Sequence, residues 1–244
     1  MTDATDPHIA ALQAELAALR TEMQNFTYAV SHDLRAPLRH VVSFAQLVRD
    51  EAGPQLDPEV LGFLATISDS ARQMGAMLDA LSALARVGTV PLQLQAVPLP
   101  PLLQELCAAV GAAYPQRALE WRLAADLPTL LADENLLRQA LQQVLDNAVK
   151  FSAPRALAVI DITAHRAADG RVALAVRDNG VGFAPAQQAR LFQVFGRLHS
   201  PQQFAGLGLG LALARKAVQR MGGALDAEAA PEAGCCLTLR LAST

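Results

Sequence analysis

The chain has little of what would mark a secreted, metal-bound or membrane-spanning protein. It holds three cysteines, Cys107 and the adjacent pair Cys235 and Cys236. An odd number without metal-ligand spacing argues for reduced thiols and a cytoplasmic setting. No basic block occurs and the net charge is −3, so nothing suggests nucleic acid as a partner. No apolar run reaches the roughly 20 residues that cross a bilayer, and the opening MTDATDPHIAA carries no secretory signal. No internal repeat is present, and only an alanine bias hints at low complexity. Apolar character, by contrast, is plentiful. With 244 residues, 52% of them hydrophobic, the chain can fill one large core or two smaller ones.

The first third is patterned as helix. Apolar residues fall at 12, 16, 19, 23, 26 and 30, then at Leu34, Pro37, Val41, Phe44 and Val48. Steps alternating between four and three make the seam of a coiled coil or bundle. Two steps of four across Phe26, Val30 and Leu34 shift that seam by one residue around His32, a slip that alters local supercoiling. Gly53, Pro54 and Pro58 break the helix. A second stripe runs through Val60, Leu64, Ile67, Ala71, Met74, Leu78, Leu81 and Ala85. One hairpin of two such helices buries little, so two hairpins paired as a four-helix bundle, a homodimer, are expected.

Beyond this hairpin the pattern turns mixed. VGTVPLQLQAVPLPP (87–101) reads as a linker and an entering strand, LLQELCAAVGAAY as a helix and LEWRL as a strand. DENLLRQALQQVLDNAVKF is a helix with Asp133 at its N-cap. ALAVIDITAH and RVALAVRD alternate as strands, GLALARKAVQRM is a helix closed by Gly222 and Gly223, and GALDAEA and CCLTLRL are the last strands. Helices among strands without a regular βαβ rhythm predict an α+β sandwich.

Three short stretches in this part carry chemistry only when taken together. VRDNGVGF ends a strand in Asp178 with Gly180 and Gly182 behind it. Alone it is a polar turn whose glycines let backbone approach a ligand. GLGLGLALARK places Gly206, Gly208 and Gly210 before a helix, where free N–H groups suit an anion. By itself such a loop is weak, and the spacing is not that of a Rossmann fold. DNAVKF sets Asn147 and Lys150 on one helix, which alone is a common solvated pair.

In this order, with Phe192 and Phe195 of LFQVF between the glycine boxes and SHDLRAPL upstream, the motifs resemble those of sensor histidine kinases. Their ATP-binding domain belongs to the GHKL ATPases and folds as a Bergerat sandwich. SHDLRAPL resembles their phosphoacceptor box in its phytochrome-like version. The resemblance runs from about residue 20 to the end. It implies a signalling helix at 1–24, a dimerisation and phosphoacceptor domain at 25–88, a linker at 89–98 and a catalytic ATP-binding domain at 99–244.

The resemblance also implies roles. His32 is the phosphoacceptor, and Asn147 gives Mg²⁺ its one amide oxygen, since magnesium takes few protein ligands beside phosphate and water. Lys150 reaches a phosphate, and Phe151 offers an apolar face near adenine or fills core. Asp178 accepts the adenine amino hydrogen, with Gly180 and Gly182 shaping its turn. Phe192 and Phe195 anchor a lid over the phosphates that Gly206, Gly208 and Gly210 let close. A response-regulator receiver domain is the implied partner, and an upstream sensor is another.

His32 itself lies about 200° around the helix from Val30, at roughly 100° per residue, and so points to solvent. An exposed histidine usually does nothing, and His8, His40, His165 and His199 are read that way. His32 has Asp33 to orient its ring and take its proton. Pro37 removes the bond to the Asp33 carbonyl, at a cost of about 3 kcal/mol in an ordinary helix, so a kink and hinge beside His32 are expected. Arg35 is a candidate to hold the phosphoryl group. Three positions depart from the family: Gln143 where Asn or Glu is usual, Leu207 in place of a lid hydroxyl, and Ala36 where relatives carry Thr or Asn, which predicts weak phosphatase activity. Two rivals stay open, a degenerate phosphotransferase or adaptor without ATP chemistry, and a GHKL ATPase in which His32 is incidental.

Overall fold

The computed structural model describes residues 7–88, 91–167, 169–200 and 202–243. It divides near residue 89 into two compact units. The first is a helical hairpin. Helix α1 (Pro7–Ala52) is followed by a 3-10 turn at Gly53–Gln55 and helix α2 (Pro58–Val87). Asp57 caps α2 by accepting from the Glu59 N–H at 2.8 Å, and Pro58 occupies the first turn, where a missing N–H costs nothing. Pro37 lies inside α1, which continues past it to Ala52 without interruption.

The face that packs inside the hairpin is not the apolar stripe of the sequence. Among the described residues, the buried positions are Ser31 and Ala45 on α1, and Ser68, Ala71, Ser82 and the terminal Val87 on α2. Arg35, Leu38 and Val42 complete the α1 row, and Leu64, Gly75 and Leu78 the α2 row, all half-buried. Steps of three and four are kept, but one residue round from the expected seam. The apolar seam residues of α1 stay exposed, from 36% at Val30 to 66% at Met23. The α2 stripe is split, with Leu64 and Ala71 inward and Val60, Ile67 and Met74 outward. Small side chains win the inner row because they let two helix backbones approach, which bulky residues prevent. Arg35 and Asp79, 2.6 Å apart, pin the register of the two helices.

The second unit runs β1 (Gln95–Pro98), α3 (Leu99–Ala113), β2 (Leu119–Leu123), β3 (Thr129–Ala132), α4 (Glu134–Phe151), β4 (Ala158–Arg166) and β5 (Val172–Asp178). A long connection with a short α5 (Gln188–Leu191) leads to α6 (Gly210–Arg220), β6 (Ala224–Ala229) and β7 (Cys235–Leu241). Five strands form one sheet in the order β2-β4-β5-β7-β6, with β2 parallel to β4 and the other pairs antiparallel. Helices α4 and α6 pack on this sheet and α3 on α4, giving a two-layer α+β sandwich. Its core joins Leu137, Leu141 and Val144 of α4 to Ile160, Ile162, Leu174 and Leu239 of the sheet, all fully buried. Each such side chain contributes about 1.5–3 kcal/mol.

Strand β3 is an addition to the sequence reading, and β1 pairs with it in a separate two-stranded sheet. Asp133 follows β3 directly. Its Oδ1 accepts from the Leu136 N–H at 3.1 Å and its Oδ2 from the Gln93 N–H at 3.0 Å. One buried carboxylate thus starts α4 and ties the chain entering β1 to it.

Candidate functional site

Helix α4 carries the polar side chains of the site near its C-terminal end. Gln143, Asn147 and Lys150 follow at steps of four and three, which sets them on one face. That face meets the start of α6. A Cβ at Gly210 would run into Gln143 Oε1 and lie 3.7 Å from Asn147 Nδ2. Gln143 thus packs against the point where α6 exposes its first N–H groups, the positive end of an 11-residue helix. Lys150 Nζ reaches the same loop, 3.3 Å from where a Gly206 Cβ would be. Burial, and then the charge of Arg197, pull the Lys150 ammonium below its usual pKa. Two cations drawn together at a helix N-terminus make a place for an anion.

Asp178 ends β5 and is buried. Its Oδ1 accepts from the N–H groups of Gly180 at 2.8 Å and Cys235 at 3.2 Å. Burial outweighs these bonds and raises its pKa to about 6. Both bonds fall on Oδ1, so Oδ2 is left to accept a donor. The turn that follows is tight against its neighbours. A Cβ at Gly180 would stand 2.5 Å from the Phe151 carbonyl oxygen, and Val181 N–H donates to that same oxygen at 3.1 Å. Gly182 takes a positive φ of 59° against Ala230.

Between the glycine boxes the chain folds over α4. Gln188 donates to the Ala227 carbonyl at 2.7 Å and fastens the segment to β6. Phe192 lies under the Arg215 guanidinium of α6, 4.9 Å from it. Phe195 is 39% exposed with φ of 62°, so it does not anchor the segment as expected. Phe204 does: it is buried, and with Phe151 and His199 it forms a three-ring cluster with centroids 5.0–5.5 Å apart. Lys150 Nζ sits 4.5 Å over the Phe151 ring. Arg197 donates to the carbonyls of Gly206 at 2.6 Å and Phe204 at 2.7 Å, holding the glycine loop. Gly208, at φ 74°, backs onto the Gly196 carbonyl. A cleft of about 650 Å³ opens beside this cluster, walled by Gly182, Phe183, His199, Phe204, Pro231 and Glu232.

His199, Phe204 and Arg197 were missed by the sequence reading, and His199 had been set aside as idle. The signal available was their place in the segment between two glycine boxes. Asn147, Lys150, Phe151, Asp178, Gly180, Gly182, Gly206, Gly208 and Gly210 all lie in the α+β unit, linked through α4 as described. His32 and Asp33 belong to the hairpin. The His32 side chain is 67% exposed, its Nδ1 is 3.2 Å from Asp33 Oδ1, and its ring stacks on Tyr28 one turn earlier at 6.5 Å. Arg35, considered above as a phosphoryl holder, is engaged by Asp79.

These features fit a nucleotide with its magnesium ion. Asp178 Oδ2 offers an acceptor to a base, and Phe151 an apolar face. Lys150 and the α6 N-terminus offer positive charge to phosphates, and Asn147 a neutral oxygen to the metal. No group of three or more His, Cys, Asp or Glu able to cage a metal occurs among the described residues. Nor, among the described residues, is any helix long and apolar enough to cross a membrane.

An asparagine helix, an Asp–Gly turn and a glycine loop over a mixed sheet define an ATP-binding domain of the GHKL class. Residues 132–244 match the family described as histidine kinase-, DNA gyrase B- and HSP90-like ATPase, and residues 22–89 match the His Kinase A (phospho-acceptor) domain. The chain belongs to the sensor histidine kinases and carries their catalytic core. It is 32% identical to cyanobacterial phytochrome A of Nostoc over 86% of this chain and 27% of that protein. It is 28% identical to the methanogenesis regulatory histidine kinase FilI of Methanothrix harundinacea, over 93% of this chain and 25% of that one. Full-length ShkA, solved with AMPPNP, superposes with a TM-score of 0.65 at 28% identity, over 90% of this chain and 46% of ShkA. The chain thus spans about a quarter of the length of these two curated relatives.

Proposed function

We propose that the chain is an ATP-dependent histidine autokinase that works as a homodimer in two-component signalling. His32 Nε2 attacks the γ-phosphorus of ATP. An N–P bond forms, the bond to the ADP oxygen breaks, and Asp33 accepts the proton from Nδ1. The phosphoryl group then passes to an aspartate on a response-regulator receiver domain. A bound magnesium ion would neutralise phosphate charge, with Asn147 as its protein ligand. Lys150, the α6 N-terminus and Asp178 place the nucleotide, so catalysis is mostly positioning and charge stabilisation.

The observation that carries this reading is the His32 geometry: an exposed imidazole whose Nδ1 is engaged by a carboxylate and whose Nε2 is free. The exposed apolar row from Val30 to Val48 supports a dimer through the hairpin. Three unbridged cysteines and a need for ATP support a cytoplasmic setting. The expected domain plan keeps the phosphoacceptor hairpin at 25–88 and the catalytic domain at 99–244. With γ-labelled ATP and Mg²⁺, the wild type is expected to take up acid-labile, base-stable label and His32→Gln none. Equal labelling of the variant contradicts the assignment.

One observation favours the adaptor reading. The Gln143 side chain reaches to Gly210 at the α6 N-terminus, where phosphates would approach. A folded chain that binds no ATP at millimolar concentration would make it the better reading.

A further inference from the structure

Arg155 lies in the loop between α4 and β4, and no motif in the sequence includes it. Its side chain is 33% exposed. Its Nε donates to the Asn179 carbonyl at 2.9 Å and its Nη2 to the Gly180 carbonyl at 3.1 Å. Nη2 also meets the Glu232 carbonyl and the Glu232 carboxylate, each at 2.9 Å. One guanidinium therefore joins three segments: its own loop, the turn after Asp178, and the hairpin between β6 and β7. All three contribute walls to the 650 Å³ cleft.

The bond to Asn179 matters most. The Asn179 carbonyl and the Gly180 N–H belong to one peptide group, which is trans and planar, so they point in opposite directions. Arg155 holds the carbonyl end. The N–H end donates to Asp178 Oδ1. A rigid unit thus runs from guanidinium through peptide to carboxylate, and such a chain polarises along its length. Fixing the peptide plane fixes which Asp178 oxygen is occupied and which is left to read a ligand. The Asn179 side chain braces the same turn, donating to the Leu157 carbonyl at 3.0 Å and accepting from the Val159 N–H at 3.1 Å.

Glu232 shows that this arrangement is held under strain. It takes a φ of 61°, in the left-handed region that residues other than glycine rarely enter. That conformation turns its carbonyl and its carboxylate onto the same nitrogen of Arg155. Its N–H donates to the Val181 carbonyl at 2.8 Å, closing the hairpin on the turn.

We infer that Arg155, clamped by Glu232, is a positioning residue for base recognition. Through the Asn179–Gly180 peptide it holds Asp178 so that Oδ2 selects a nucleotide with an exocyclic amino group. The inference rests on the proposed ATP site. Lysine cannot replace arginine in this role, because a point charge lacks the planar fork that serves several acceptors at once.

The test compares ATP with inosine triphosphate, which carries a carbonyl where ATP carries the amino group. Dissociation constants for both are measured on wild type, Arg155→Lys and Glu232→Gln, each checked for folding by its thermal midpoint. A single hydrogen bond to a charged acceptor corresponds to about tenfold in affinity. Wild type is expected to prefer ATP by about that factor. Arg155→Lys is expected to lose most of the preference, with ATP binding weakened and inosine triphosphate binding nearly unchanged, and Glu232→Gln to lose part of it. General destabilisation would weaken both nucleotides together. Parallel weakening, or an unchanged ratio in the folded variants, overturns the inference. If Arg155→Lys does not fold, an unchanged ratio in Glu232→Gln overturns it and a reduced ratio supports it. A wild type that binds no ATP, or binds both nucleotides equally, instead contradicts the proposed function of Asp178.

Discussion

The two units bury different kinds of residue. In the α+β unit the fully buried positions include many large side chains, among them Leu99, Leu103, Leu137, Leu141, Ile160 and Leu239. In the hairpin the buried positions include Ser31, Ala45, Ser68, Ala71 and Ser82, while Phe26, Phe44 and Phe63 are exposed. The α+β unit completes its core within one chain. The hairpin uses its small residues to bring two helices together and leaves large ones exposed. Stability and assembly are therefore separable. On the proposed reading the nucleotide site lies in the unit that closes its own core, and His32 lies in the unit that leaves an apolar row exposed for a partner.

Substitutions can break this contrast, beginning with the largest effect. Leu141→Ala leaves a cavity under α4 and is expected to cost the α+β unit about 3–5 kcal/mol, read as a lowered midpoint in denaturant. Phe44→Asp is expected to leave helix content intact but weaken dimerisation by about 2–4 kcal/mol, read by sedimentation across dilution. If it unfolds the hairpin without changing mass, the outer row is a core and the contrast fails.

Asp178→Asn sharpens the comparison from the other side. The folded pKa of Asp178 is raised to about 6, so the protonated form is favoured in the folded unit. The stability it contributes is present below the ordinary carboxylate range and is lost as pH rises through about 6. On the proposed reading the charged form binds the nucleotide, so ATP affinity is expected to rise through the same window. The Asn variant is expected to stabilise the unit by about 1–3 kcal/mol at pH 8, to weaken ATP binding, and to flatten both pH profiles. The smallest effect belongs to Arg35→Ala. It removes a half-exposed ion pair and is expected to cost the hairpin less than about 1 kcal/mol in thermal unfolding.

Much of the α+β unit was legible because its signals are local. Asp133 announces α4 by its capping chemistry, and alternation marks β4 and β5. Strand β3 was not legible, since TLLA is four residues long and without alternation. In the hairpin, periodicity led to the right helices but did not mark the row that packs within one hairpin. Serine and glycine carry no hydrophobic signal, so the row through Ser68 and Gly75 was invisible beside the bulky row next to it. The glycine boxes and Asp178 could be read as motifs, whereas Arg155, Arg197 and His199 act through tertiary hydrogen bonds and ring contacts that no spacing encodes. Helix α1 runs through Pro37 as one element, as a helix kinked at that residue also does.

The division of labour between the units is tested most directly by measuring ATP affinity and γ-phosphate incorporation on the same samples of His32→Gln and Asp178→Asn. His32→Gln is expected to bind ATP within about twofold of wild type, a difference well under 1 kcal/mol, and to take no label. Asp178→Asn is expected to bind ATP weakly and to label only in proportion to its occupancy. Label on His32→Gln, or loss of its ATP binding, would contradict an acceptor hairpin served by a separate nucleotide domain.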